Sequence, residues 1–342
     1  MFRRCLTAGA LALLAFTTGA SAQVEVRRDD AHRRVDITVD GKPFTSYLWP
    51  TSLKKPVLFP LITSNNVTVT RGYPLVPRDG ERVDHPHHAG MWFNYGNVNG
   101  FDFWNNSDAI PEAQRSKMGS IRHERIVSTS SGKDRGELTV DSVWTTGEGK
   151  DLLKQTTRYV FQKQGDSRII DQNITLTALD RAIFHDDKEG LLGIRVAHFL
   201  ESATEKGGTF QDASGRPTKV EGGDNAGATG IYRTSAGVEG DKVWSTRGDW
   251  CELTGTYEGK AVTVAILDSQ RNPGYPTYWH ARGYGLFAAN PLGDHIFDAK
   301  VPEHNFTLER GGSANFTYRV ILFAHAAGVD EVKRANEAFQ TR

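Results

Sequence analysis

Four stretches follow one another between Ser120 and Leu179: Ile121-Arg-His-Glu-Arg-Ile-Val-Ser-Thr129, Glu137-Leu-Thr-Val-Asp-Ser-Val-Trp144, Leu153-Lys-Gln-Thr-Thr-Arg-Tyr-Val-Phe-Gln162 and Arg168-Ile-Ile-Asp-Gln-Asn-Ile-Thr-Leu-Thr-Ala-Leu179. In each, apolar and polar residues alternate, which is the two-residue period of a strand with one face buried and one wet. Gly, Asp, Ser and Lys clusters separate them at hairpin spacing. The segment therefore predicts an antiparallel meander.

The same signals recur outward. Val35–Val39 alternates and ends on the turn dipeptide Asp40-Gly41. Further strands are expected within Pro56–Thr70, Leu192–Phe199, Val243–Tyr257, Ala261–Asp268, Tyr284–Ala289 and Phe316–Ala324. The Gly-, Asp- and Thr-rich run Gly207–Gly240 reads as a long surface loop region. One helix is expected, Asp330–Phe339, with Val332, Ala335 and Phe339 on one face and Asp330 as N-cap. Many strands and almost no helix predict an all-β chain. The architecture is a large antiparallel β-sandwich of two extended sheets with one short C-terminal helix. A propeller is the alternative, but blade-length repetition is absent.

Lys+Arg and Asp+Glu both number 41, so the formal net charge is zero. A nucleic-acid binder would carry a basic excess, so no nucleic-acid partner is expected. Met1–Ala22 has Arg3-Arg4, a short apolar run and Ala20-Ser21-Ala22 in sequence, the order of a cleavable export signal. Cleavage after Ala22 would leave residues 23–342 as one domain, periplasmic or secreted, with no membrane span. Of the two cysteines, Cys5 leaves with the signal. Cys251 then stands alone and is read as a buried structural thiol.

Three clusters could carry chemistry. The first is Arg71-Gly-Tyr-Pro74 followed by Asp84-His85-Pro86-His87-His88, Trp92-Phe93, Asn99, Asp102 and Trp104. Its histidines can serve as acid and base near neutral pH or hold a divalent metal. In an extended chain His85 and His87 would share a face. The second is Tyr278-Trp279-His280-Ala281-Arg282-Gly283-Tyr284, followed by Asn290. Aromatic faces beside Arg and Asn suit a sugar, whose C–H face stacks on rings while its hydroxyls need polar partners. The third is Arg195-Val-Ala-His198-Phe-Leu-Glu201, where His198 is expected on the apolar face of a strand. No G-x-S-x-G elbow, phosphate loop or dinucleotide fingerprint is present.

Arg71-Gly-Tyr-Pro74, Asp84-His-Pro-His-His88, Trp92-Phe93, Asn99-Gly100, Phe103-Trp104 and Trp279-His-Ala-Arg-Gly-Tyr284 together resemble a secreted bacterial family labelled PmoA-like, of unknown function. The resemblance spans essentially all of the chain after the signal. It implies a β-sandwich similar to the galactose-mutarotase supersandwich and a link to sugar degradation. That family's pattern has Arg after the histidine triplet, where this chain has Ala89.

Three functions are consistent with these residues. The first is a carbohydrate-active enzyme using His85, His87, His88 and His280 for acid–base chemistry. Arg71, Asp84, Trp92, Asn99, Asp102, Trp104, Trp279, Arg282, Tyr284 and Asn290 would contact the sugar or oligosaccharide. The second is a non-catalytic sugar-binding module stacking its ligand on Trp92, Trp104 and Trp279. The third is a metal-dependent hydrolase or lyase with an ion among His85, His87, His88 and His198. No cofactor is required by the first two.

Overall fold

A computed structural model describes residues 23–223 and 226–341. The export signal expected at residues 1–22 lies outside the described residues. The N-terminal strands are β1 (Val24–Asp29), β2 (Arg34–Val39), β3 (Lys42–Leu48), β4 (Val57–Leu58) and β5 (Met91–Tyr95). The meander follows as β6 (Gly119–Ser130), β7 (Arg135–Thr146), β8 (Asp151–Gln164) and β9 (Ser167–Ala178). Next come β10 (Ala182–Phe184), β11 (Gly190–Arg195), β12 (Gly208–Gln211), β13 (Pro217–Val220) and β14 (Ile231–Thr234). The chain ends with β15 (Trp250–Tyr257), β16 (Lys260–Asp268), β17 (Tyr278–Arg282), β18 (Leu286–Asn290), β19 (Phe306–Leu308) and β20 (Ser313–Phe323). Two helices, the single turn α1 (Asp294–Phe297) and α2 (Val329–Gln340), interrupt and close this series.

Sixteen of these strands form two eight-stranded sheets, ordered β1-β2-β3-β4-β5-β11-β18-β17 and β14-β15-β16-β20-β9-β8-β7-β6, the other four form the pairs β10-β19 and β12-β13, and every paired strand is antiparallel. The architecture is thus the antiparallel β-sandwich with a C-terminal helix. The four meander stretches became four consecutive strands, because alternation plus turn residues fixes both face and register. Their inward side chains meet the other sheet directly: Phe93 packs 6.5 Å from Trp144 and 5.9 Å from Phe316, and Phe44 6.0 Å from Phe161, centroid to centroid. The buried Trp144 indole donates to Gln155 Oε1 at 2.8 Å, so a polar atom crosses the core without being orphaned.

Elsewhere the regular elements are shorter than the apolar pattern suggests. Pro56–Thr70 holds only β4 and isolated bridges such as Ile62 to Thr68. The strand expected to reach Phe199 stops at Arg195, and His198 lies instead in a 3-10 turn, His198–Leu200. Gly207–Gly240, expected as loop, contains the β12–β13 hairpin and β14. The helix begins one residue before its expected start, is preceded by Gly328 at the cap position, and carries Asp330 in its first turn. There the acid complements the helix dipole rather than capping a donor. Val332 and Phe339 of α2 cover the outer face of β16 and β20 at Ala265, Leu267, Ile321 and Phe323. No described helix is long and apolar enough to cross a membrane.

The edge strand β6 departs from regular pairing. Its register against β7 shifts at His123/Arg125 and again at Ile126/Ser128, and Arg122, Glu124 and Arg125 project from it.

Candidate functional site

The centre of the first sheet is buried on both faces. Every residue of β5, β11 and β18 is buried. Met91, Phe93, Tyr95, Leu192, Ile194, Phe287 and Ala289 face the sandwich interior. By the pleat, Trp92, Gly193, Arg195, Leu286 and Ala288 face outward. There Trp92, Leu286 and Ala288 form a second apolar layer with Val57, Ala89 and Trp104. The loop that carries the histidine triplet lies over this layer. Two glycines permit the close approach. A Cβ on Gly193 would sit 2.6 Å from the Trp92 ring, and one on Gly90, at φ +60°, would sit 2.3 Å from the Leu58 carbonyl oxygen.

The loop is fixed by two buried arginines. Arg71 Nη1 donates to Asp84 Oδ1 at 2.6 Å and Arg195 Nη2 donates to the same oxygen at 2.7 Å. Arg71 also donates to the carbonyls of Arg82, His85 and His88, so it spans the whole loop. Both guanidinium side chains are 0% exposed, while Asp84 is 30% exposed. Burial would raise the Asp84 carboxyl. The hydrogen bond to His85 and the charges of Arg195 and Arg71 outweigh it and hold the group well below the usual carboxylate range. Burial, followed by the like charge of Arg195, pulls Arg71 down to about 9, which leaves it charged at neutral pH.

The triplet is a turn and not an extended segment. His85 adopts φ +44° and the His88 amide donates to the His85 carbonyl at 2.9 Å. The turn lays the His85 ring on His88, with centroids 5.0 Å apart and planes 6° from parallel. His85 stacks on Tyr284 at 5.3 Å on one side, and His88 stacks on Trp92 at 5.2 Å. A column Tyr284–His85–His88–Trp92 thus runs from the cleft to the sheet. His87 stands edge-on to both neighbouring histidines.

The three histidines differ chemically. His88 is buried and accepts from Trp104 Nε1 at 3.1 Å, with Arg195 Nη1 3.3 Å from its Nδ1. Burial, then His87 and Arg195, hold its pKa well below the ordinary value, so the ring is neutral. His87 is also buried, and burial followed by the charge of Lys55 lowers it to about 2. His85 alone is open, its side chain 42% exposed, with Nδ1 3.2 Å from Asp84 Oδ1. A proton on Nδ1 would face the charged carboxylate, the tautomer in which Nε2 carries the free lone pair.

His85 and Asp84 border a cleft of about 430 Å³. Tyr284, Arg282, Trp244, Ser202, Lys206 and Asp241 are among its other walls. The three sequence clusters therefore meet: the candidates Asp84 and His85 from the first and Tyr284 and Arg282 from the second line the cleft, and the third joins them through Arg195, which holds Asp84, and not through His198.

Several expected site residues lie elsewhere. Trp279 is 0% exposed and faces the sandwich interior, because β17 alternates and Trp279 takes the inner side with Ala281. Trp92 and Trp104 are sealed beneath the loop, so none of the three tryptophans offers a free ring face. His280 is buried with Nδ1 donating to the Lys188 carbonyl at 3.0 Å. Burial, followed by the charges of Arg282 and Lys188, lowers it to about 3. Asn290 is buried, donating to the Asp187 carbonyl and accepting from the Leu292 amide. Asn99, at φ +54°, ties its turn to the Arg181 carbonyl and the Ile183 amide. Asp102 caps the turn at Trp104 and Asn105. Arg71 braces the loop from below and does not reach the cleft.

The metal candidates do not converge. Among the described residues no three His, Cys, Asp or Glu side chains are grouped to hold an ion. A ligating lone pair lies in the imidazole plane, so the face-stacked rings of His85 and His88 cannot aim at one ion. His198 is turned away, with Nδ1 at Glu201 Oε2 (3.2 Å) and Nε2 at the Ala226 carbonyl (2.9 Å).

Residues 34–337 match the family of unknown function DUF6807. The chain belongs to that family. No curated protein matches it in sequence. Among solved structures it is similar to a GH36 α-galactosidase from Geobacillus stearothermophilus bound to 1-deoxygalactonojirimycin, at 12% identity and TM-score 0.38, covering 88% of this chain and 40% of that one. It is also similar to the galactosidase domain of an α-galactosidase-sucrose kinase, at 8% identity and TM-score 0.40, covering 87% and 41%. A galactose mutarotase-like protein from Clostridium acetobutylicum matches at 11% identity and TM-score 0.39, covering 89% and 99%. This DUF6807 chain thus spans about two fifths of the length of the galactosidases.

Sequence reasoning missed Trp244, Ser202, Lys206 and Asp241 as walls of the cleft. Ser202, Lys206 and Asp241 lie in connecting segments where no periodicity marks them, and Trp244 was read into a strand over Val243–Tyr257 that begins only at Trp250. Arg195 had a visible signal: a lone charge in the otherwise apolar run Leu191-Leu-Gly-Ile-Arg-Val196.

Proposed function

We propose that this protein is an exported carbohydrate-active enzyme that acts on a sugar or glycoside by acid–base chemistry in the Asp84–His85 cleft. The observation that carries the reading is the Asp84–His85 pair itself: one open imidazole, facing a carboxylate that two buried arginines keep charged. Such a pair takes a proton from a substrate hydroxyl through Nε2 and returns one in the reverse sense. Tyr284 supplies a ring behind His85, and Trp244, Arg282 and Ser202 surround the remaining space with mixed apolar and polar surface. Hemiacetal ring opening begins with this proton loss from the anomeric hydroxyl; in glycosidic cleavage the same base would take its proton from the attacking water, and in epimerisation from carbon. Asp241, the other carboxylate in the cleft lining, is the partner acid on this reading.

The test is turnover on a panel of monosaccharides and glycosides with His85→Ala and Tyr284→Phe. Loss of about 100-fold or more in the first, with the fold intact, is expected from removal of a general base. Full activity in His85→Ala refutes the assignment. Export goes with this reading: residues 1–22 are removed and residues 23–342 fold as one domain, which mass spectrometry of the mature N-terminus checks at Gln23.

A further inference from the structure

The cleft beyond His85 is unevenly charged. Arg82 is paired with Glu201 at 2.9 Å, and Asp84 is shared by Arg71 and Arg195, so these charges are committed. Arg282 and Lys206 are exposed cations in the lining, and neither has a carboxylate at ion-pair distance among the described residues. Arg282 instead lies over Trp244, its guanidinium carbon 5.4 Å from the ring centroid. Behind the lining residues Trp244 and Ser202, the Nε1 and Oγ atoms are buried without a hydrogen-bond partner. An indole N–H only donates, and so do guanidinium and ammonium. Asp241 is the one carboxylate in the lining without an ion pair, so cations outnumber it.

A sugar hydroxyl both donates and accepts and gains little from two unpaired cations. A carboxylate or an ester anion only accepts, and its bonds to charged donors are the strong ones. We infer that the substrate is an anionic sugar, a uronic acid or a sulfate or phosphate ester, with its anion against Arg282 and Lys206. This deepens the carbohydrate reading above and rests on it. The rigid guanidinium fork, already placed over Trp244, is the principal contact, and Lys206 adds charge.

Calorimetric titration of the full protein with matched pairs tests this: glucose against glucuronate, galactose against galacturonate, and each hexose against its 6-sulfate and 6-phosphate. The acid of at least one pair should bind about tenfold or more tighter than its neutral partner. Arg282→Gln should erase most of that ratio, Lys206→Gln should reduce it less, and added salt should shrink it in the wild type. The acid series that shows the preference identifies the anion. Equal binding of neutral and acidic partners overturns the inference and leaves the carbohydrate reading standing. Failure of every sugar, neutral and acidic, overturns both.

Discussion

Asp84→Asn removes the negative charge that lies between two buried guanidinium groups and keeps the side-chain volume. Both Arg71 and Arg195 are 0% exposed and share one carboxylate oxygen at 2.6 and 2.7 Å. Breaking a buried pair by removing one partner costs about 3–5 kcal/mol, because the remaining charge stays desolvated. Water reaches Asp84 from its 30% exposed side and lowers that figure, so about 3 kcal/mol is expected. That is a large part of the roughly 5–15 kcal/mol that folded proteins have in reserve. With a urea slope of about 3 kcal/mol per molar, the unfolding midpoint should fall by about 1 M at pH 7. The carboxyl is depressed in the fold, so its stabilisation is complete above the unfolded value of about 4 and fades as pH falls below it. The gap between wild type and variant should therefore narrow on acidification. A loss below about 1 kcal/mol at pH 7, with a gap that does not change with pH, would refute the two-arginine cradle.

Three further outcomes follow from other parts of the site. His85→Ala should shift the urea midpoint little, by about 1 kcal/mol or less, because its ring is 42% exposed and bridges no core element; a collapse of stability would make it structural. Lys55 is buried, donates to the His87 carbonyl, and is pulled by burial down to about 7. The unfolded chain holds that proton up to about pH 10, so wild-type stability should rise between pH 7 and 9 relative to Lys55→Met, by at most about 1.4 kcal/mol per pH unit; parallel urea titrations would contradict this. Gly193→Ala places a methyl 2.6 Å from Trp92 and should cost about 1–3 kcal/mol by thermal or urea unfolding. Because Trp92 ends the ring column, the same variant should lower turnover, and unchanged stability and turnover would separate the column from the site.

The meander was legible because its residues carry both signals that define a strand pair, alternation and turn chemistry. Leu138, Val140 and Trp144 of β7 turn inward as their period requires. The strands that carry the site were harder to read. β5, β11 and β18 are buried on both faces and show no alternation, because loops from distant parts of the chain cover their outer side. The Asp84–His88 segment was recognisable as chemistry but not as geometry. The left-handed conformation of His85 turns the triplet into a stacked column, and no spacing rule states that. The expected roles of Trp92, Trp104 and Trp279 fail for one reason: large rings beside glycine and alanine bury themselves first.

The irregular edge strand β6 has a consequence beyond the site. Positive and negative side chains balance over the full sequence, and Arg3 and Arg4 are the only charges in residues 1–22, so with or without that segment copies of this protein have little net repulsion to keep them apart. A straight twelve-residue edge would then be a template on which a second molecule could continue the sheet. The two register slips at His123/Arg125 and Ile126/Ser128 break that template into short pieces, and the salt-bridged Arg122, Glu124 and Arg125 hold charge along it. Colloidal solubility here is guarded by local backbone irregularity instead of by overall charge, so straightening β6 would promote association even in a fully folded molecule.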